Sequence, residues 1–141
     1  MISILILKIK YTKQLLDNKE AIIVKIELED KGQILRLADF CLEKKAEDIV
    51  VLDLRDLSTL YDYFLICSGT SNQQVKAINE HLIKKSKAAG FKIHYYQRED
   101  DSGWMLLDYF NIVVHIFEKE IRKFYNLETL WSNAKKISID K

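Results

Sequence analysis

Residues 104–131 read WMLLDYFNIVVHIFEKEIRKFYNLETLW. Two apolar runs, 104–109 and 112–117, are each short enough for one strand, and Phe110-Asn111 is left between them as a turn. Period-two alternation puts Trp104, Leu106 and Asp108 on one face of the first run and Met105, Leu107 and Tyr109 on the other. Both faces are largely apolar, so each needs a cover of helices or of another protein. In the second run His115 shares a face with Val113 and Phe117. Glu118-Lys119-Glu120 then leads into a final helix, with Ile121, Phe124, Tyr125, Leu127, Leu130 and Trp131 expected to face inward.

Upstream the same reasoning gives an α/β order. Ile34, Leu35, Leu37, Ala38, Cys41 and Leu42 recur at helical spacing, predicting a first helix from about Gly32 to Lys45. Asp48–Leu54 (DIVVLDL) is a β-branched run expected to be buried on both faces. Asp62–Ser68 (DYFLICS) is a second strand. Ser71-Asn72-Gln73-Gln74 has the form of a capping box. It opens a helix with Val75, Ile78, Leu82 and Ile83 inward and Gly90 in the left-handed position at its end. A third strand is predicted over 92–97, followed by an acidic turn, Glu99-Asp100-Asp101-Ser102-Gly103. Gly32, Gly69, Gly90 and Gly103 all fall at predicted boundaries. The expected fold class is a single α/β domain with a mixed sheet of about five strands flanked by helices.

A chain of 141 residues, 48% hydrophobic and 30% charged, fits one globular domain that buries a core without staples. The formal charge of +1 supplies no net field to draw it onto nucleic acid or an anionic membrane. Cys41 and Cys67 lack metal-ligand spacing and sit in apolar runs, so they are expected to be buried reduced thiols in a cytoplasmic protein. The apolar start Ile2–Leu7 is cut off by Lys8 and Lys10, too early for a signal peptide or a span of about 20 residues. Residues 1–31 alternate weakly (Ile22, Val24, Ile26, Leu28) and are expected to form two strands or a loosely attached extension before a domain over 32–137.

Several residues carry candidate chemistry. Asp53, Asp62 and Asp108 lie in or open strands, and Ser68-Gly69-Thr70-Ser71 precedes a helix. Brought together, they would sketch a metal-dependent nucleotidyltransferase, with magnesium on the carboxylates and phosphate on free amides. No paired Asp-x-Asp and no Walker lysine accompany them. His115 reads either as a neutral core imidazole or as a base with Asp108 as partner. Lys84, Lys85, Lys87 and Lys92 form a basic cluster, either a solvated helix face or a phosphate-binding patch. Trp104 is either a core residue or an interface anchor, whose partner would present basic residues around an apolar centre.

The segments Ala46–Asp53, Asp62–Ser71, Trp104–Tyr109, Val113–Phe117 and Arg122–Trp131 together resemble the ribosomal silencing factor family (RsfS, also called Iojap) in order and spacing. The resemblance implies a nucleotidyltransferase-like fold without a working active site, and a regulator rather than an enzyme, with no cofactor or metal. It implies binding to the large ribosomal subunit through its protein uL14, blocking small-subunit joining and repressing translation under nutrient limitation. By position, the partner-binding residues would be Trp104, Asp108 and Tyr109, with Asp62 and Tyr63. Family members are often dimers, so a homodimer is compatible with the resemblance. The chain departs from the family at Gln97-Arg98, usually Glu-Gly, and at Phe110-Asn111, usually Gly-Asp.

Overall fold

In the computed structural model, which describes residues 18–97 and 100–139, helix α1 spans Asn18–Glu43. Two strands, β1 (Glu47–Asp53) and β2 (Tyr63–Gly69), follow. Next come α2 (Asn72–Ala89), β3 (Tyr95–Tyr96), β4 (Trp104–Asp108) and β5 (Ile112–Glu118). The chain ends in two short helices, α3 (Lys119–Tyr125) and α4 (Leu127–Leu130), and β6 (Lys135–Ser138). The residues divide into two compact units, one ending at Gln33 and one from Ile34 onward. The first seventeen residues, which include the apolar start Ile2–Leu7 and the beginning of the expected extension over 1–31, lie outside the described ones, as do Arg98 and Glu99.

The strands form one mixed sheet in the order β3-β4-β5-β2-β1-β6. Only β2 and β5 run parallel; every other neighbouring pair is antiparallel. The parallel pair lies at the centre, and all seven residues of β2 are buried. Alternation sorts the side chains into two cores. On one face Val51, Leu65, Met105, Leu107, Val114 and Ile116 pack beneath Ile34, Leu37, Ala38 and Cys41 of α1 and Val75, Ile78 and Leu82 of α2. On the other Val50, Leu52, Phe64, Ile66, Val113 and Phe117 form a smaller core. Its cover is partial: Tyr61, Ile121, Leu127, Trp131 and Ala134.

Several sequence expectations change. Residues 18–31 are helical rather than stranded, because an uninterrupted run from Asn18 includes Ala21 and an i,i+4 pair, Lys25–Glu29 at 4.0 Å, which supports a helix. Gly32 therefore lies inside α1 and ends nothing. Ser71 caps α2 by accepting from Gln74 N at 3.1 Å, but the reciprocal half of the box is not made. Gln74 Oε1 instead accepts from Thr70 N (2.7 Å) and Thr70 Oγ1 (2.8 Å), while Nε2 donates to the carbonyls of Lys44 and Lys45. Gly90 takes the left-handed cap with φ 77°. The third strand contracts to Tyr95–Tyr96, and β6 was not anticipated.

The final helix is broken. Asn126 is left-handed (φ 48°) and separates α3 from α4, which a single period of 3.6 cannot accommodate. Ile121, Leu127 and Trp131 still pack inward. Phe124, Tyr125 and Leu130 turn outward, exposed by 80%, 50% and 73%. Gly103 is required before β4: its φ is 77°, and an added Cβ would lie 2.6 Å from Glu118 Oε2 and 2.8 Å from Ile121.

Candidate functional site

The burial of β4 alternates between half-buried and buried along its five residues. Trp104, Leu106 and Asp108 face the thinly covered side and are half-exposed; Met105 and Leu107 are sealed under the helices. Five strand residues carry this open row over about 14 Å. Beyond it lies β3, where Tyr95 pairs with Asp108 and is 56% exposed. The open face therefore continues to the edge of the sheet.

Trp104 is held in place. Its indole stacks on Phe117 (centroids 4.9 Å), lies 4.6 Å from the Tyr125 ring, and donates from Nε1 to His115 Nδ1 at 3.1 Å. That bond makes Nδ1 the acceptor and puts the proton of the neutral imidazole on Nε2. Burial pulls the His115 pKa down to about 4, so the ring is neutral near pH 7. Phe64 meets the ring edge-on at 4.7 Å. His115 is thus a buried positioning group for Trp104. Asp108 does not partner it, since His115 pairs with Leu106 in the register and the Asp108 carboxylate is used elsewhere.

Asp108 Oδ1 accepts from Phe110 N at 2.8 Å, closing the turn between β4 and β5, which Tyr109 N to Ile112 O (2.8 Å) also ties. Phe110 sits at φ 76°, the position where a two-residue turn of this hand prefers glycine. The ring stays half-exposed, 4.2 Å from the His94 ring. Asp62, also half-buried, lies against the same turn through its amide, which donates to Asn111 O at 2.8 Å.

Tyr109 and Tyr63 point the other way. Tyr109 is 6% exposed in the closed core, and its hydroxyl is 2.8 Å from Ser86 Oγ of α2; burial pushes its pKa up. Tyr63 is 3% exposed in the same core. Neither ring offers surface to a partner, because alternation assigns both to the helix-covered face. Both rings anchor the strand ends next to Asp108 and Asp62 from within the core. Tyr95, Phe124 and Tyr125 are exposed residues that the sequence pattern does not place on this surface. Register supplies the missing signal for Tyr95, which only pairing with Asp108 places on the open face.

The elements of a nucleotidyltransferase centre do not come together. Asp108 is opposite Val113, Val113 opposite Phe64, and Phe64 opposite Leu52 beside Asp53. Three strand spacings, about 14 Å, separate the two carboxylates, and alternation turns them to opposite faces. Asp53 is bound by Arg55 at 2.9 and 2.7 Å, which lowers its pKa. The Ser68-Gly69 turn lies at the far end of β2 from both aspartates, and Thr70 N is taken by Gln74. Among the described residues no cluster of His, Cys, Asp or Glu could hold a metal.

The remaining candidates are ordinary. Cys41 and Cys67 are buried and free, and the Cys67 thiol together with burial pushes the Cys41 pKa up, so Cys41 is no nucleophile. Lys84, Lys87 and Lys92 are exposed, and Lys85 lies 3.9 Å from Glu43. No helix among the described residues is long and apolar enough to cross a membrane.

Comparison with known proteins agrees with this architecture. The family described as ribosomal silencing factor during starvation matches residues 27–141. The ribosomal silencing factor RsfS of Bacillus subtilis is 40% identical over 112 residues, 79% of this chain and 95% of that protein. The chloroplastic protein Iojap of Zea mays is 35% identical over 81% of this chain and 51% of its own length. A crystal structure of a Chromobacterium violaceum protein superposes with a TM-score of 0.68 at 31% identity, covering 78% of this chain and 92% of that one. One from Bacillus halodurans gives 0.65 at 35% identity, over 78% and 99%. A six-stranded sheet of this kind, with matches across nearly the whole length of its bacterial relatives, places the chain in the ribosomal silencing factor (RsfS) family.

Proposed function

We propose that this chain binds the large ribosomal subunit through uL14, using the open face of β4, and thereby blocks joining of the small subunit. Translation would fall under nutrient limitation by occlusion alone, in the cytoplasm, with no bond made or broken. The carrying observation is the half-exposure of Trp104, Leu106 and Asp108 along one strand face, with the remaining core faces sealed. A rigid indole beside an aliphatic centre suits an interface anchor, since aromatic rings bury much area at small entropic cost. Asp108 and Asp62 on the neighbouring turn, with Asp100 and Asp101 exposed before β4, favour a partner presenting basic residues around an apolar centre. Tyr109 and Tyr63 serve from beneath, holding the strand ends.

Co-sedimentation tests the reading. The protein should pellet with purified large subunits, remain in solution with small subunits, and be lost from large subunits lacking uL14. Equal binding to subunits with and without uL14 would reject the partner assignment.

A further inference from the structure

His115 carries a cost that the fold does not require. Its imidazole is 4% exposed, and its neighbours on this face of the sheet are apolar. Leu106 lies opposite on β4 and Ile66 opposite on β2, with Val113 and Phe117 two residues away on its own strand. Because Nδ1 accepts from Trp104, the proton sits on Nε2, and Nε2 is buried with no hydrogen-bond partner among the described residues. An N–H taken out of water without an acceptor is unfavourable. Leucine or methionine, of similar volume, would fill the same space without one.

Trp104 does not need this acceptor to be stable. A half-exposed indole can turn its N–H to water. What the bond supplies is orientation. Phe117 stacks on the indole at 4.9 Å with the planes 29° apart, and the Tyr125 ring lies at 4.6 Å. Those contacts confine the plane of the ring but leave it free to turn within that plane. Trp104 pairs with Phe117 across β4 and β5, which makes His115 its diagonal neighbour, a spacing that large side chains span. The 3.1 Å bond from Nε1 then fixes which edge of the indole is turned in, and the rest of the ring is presented to the open row.

We propose that His115 is a positioning residue for docking: it sets Trp104 in its bound orientation before the partner arrives, and the chain keeps it there at a cost in stability. The inference rests on the docking role of the β4 face. A side chain that is already immobile in the free protein loses less freedom on binding. His115 touches no partner itself, so its whole effect on affinity passes through Trp104.

Three variants of the full chain test it. His115→Leu removes the acceptor, His115→Met removes it with an unbranched side chain that adapts to the space, and His115→Gln keeps one. Near pH 7 the leucine and methionine variants should unfold thermally at or above the wild-type midpoint. They should nevertheless bind purified large subunits about fivefold more weakly, while His115→Gln stays within about twofold of wild type. In nuclear magnetic resonance spectra the Trp104 indole proton, identified by its absence in Trp104→Phe, should exchange slowly with water in wild type and His115→Gln. It should exchange quickly in the two apolar variants. Wild-type affinity in both folded apolar variants, or an equal loss in His115→Gln, would overturn the proposal. So would a midpoint lowered by about 4 °C or more in both apolar variants, which would make His115 an ordinary core residue. Leu106→Lys, titrated alongside, separates the two claims. If it weakens binding and His115→Leu does not, positioning fails alone; if neither does, docking through β4 fails and positioning falls with it.

Discussion

The two faces of the sheet are built from the same kinds of residue and end in different states. Beneath α1 and α2, Leu65, Ile78, Leu82 and Leu107 have no measurable exposure. Across the sheet, the C-terminal segment covers β1 and β2 through Trp131 and Leu127 but leaves β4 half-open. The difference comes from the cover. An 18-residue helix shields one side, whereas the other has helices of seven and four residues split by Asn126. Closed packing supplies stability; the incomplete cover leaves surface for a partner.

Disrupting the closed face should give the largest effect. Leu65→Ala removes a fully buried side chain, and urea unfolding should show a loss of about 4 kcal/mol. Large-subunit affinity of the protein that remains folded should be unchanged. A smaller loss by several kcal/mol would mean that the helix-covered core is looser than its burial implies.

Acid should act next, through the open face. His115 is pulled down to about 4 by burial, against about 6.5 in the unfolded chain. Between these values the unfolded state carries the extra proton. The contribution is therefore complete above pH 6.5 and is lost as pH falls towards 4, with a limit of about 3 kcal/mol. His115→Gln retains an acceptor for Trp104 Nε1 without a titrating ring. Its unfolding free energy should fall less between pH 7 and 4.5 than the wild type's, and parallel curves would show that His115 is not the sensor.

Trp104→Ala is expected to cost about 2 kcal/mol of large-subunit binding, roughly thirtyfold, measured on protein whose circular dichroism is native. Phe110→Gly should have the smallest effect on stability. Glycine relieves a positive φ that costs a bulky residue about 1–2 kcal/mol, offset by unfolded-state entropy and the lost His94 contact. A gain of about 1 kcal/mol or less in thermal unfolding should accompany weaker docking, if the exposed ring belongs to the partner surface.

Much of this contrast was legible in the chain. The alternation in WMLLDY sorted Trp104, Leu106 and Asp108 from Met105, Leu107 and Tyr109 correctly, because strand geometry admits no other division. The family resemblance puts Tyr109 and Tyr63 with Trp104 and Asp108 by position, whereas alternation sets Tyr109 on the opposite face and the fold buries both rings. The pattern does not show that Asn126 is left-handed, and an unbroken helix would turn Phe124, Tyr125 and Leu130 inward, where the break leaves them exposed. Residues 18–31 fit weak strand alternation as well as a helix, and local periodicity does not separate those when apolar positions are sparse. Strand order was not readable either. It is what parts Asp53 from Asp108.

The open face itself is tested most directly at Leu106, its half-buried centre. Leu106→Lys lets the stem lie along the apolar surface with the ammonium in water, while opposing a basic partner. In a titration of purified large subunits, the folded variant should bind at least about tenfold more weakly than wild type. Wild-type affinity in a natively folded Leu106→Lys protein would contradict docking through β4.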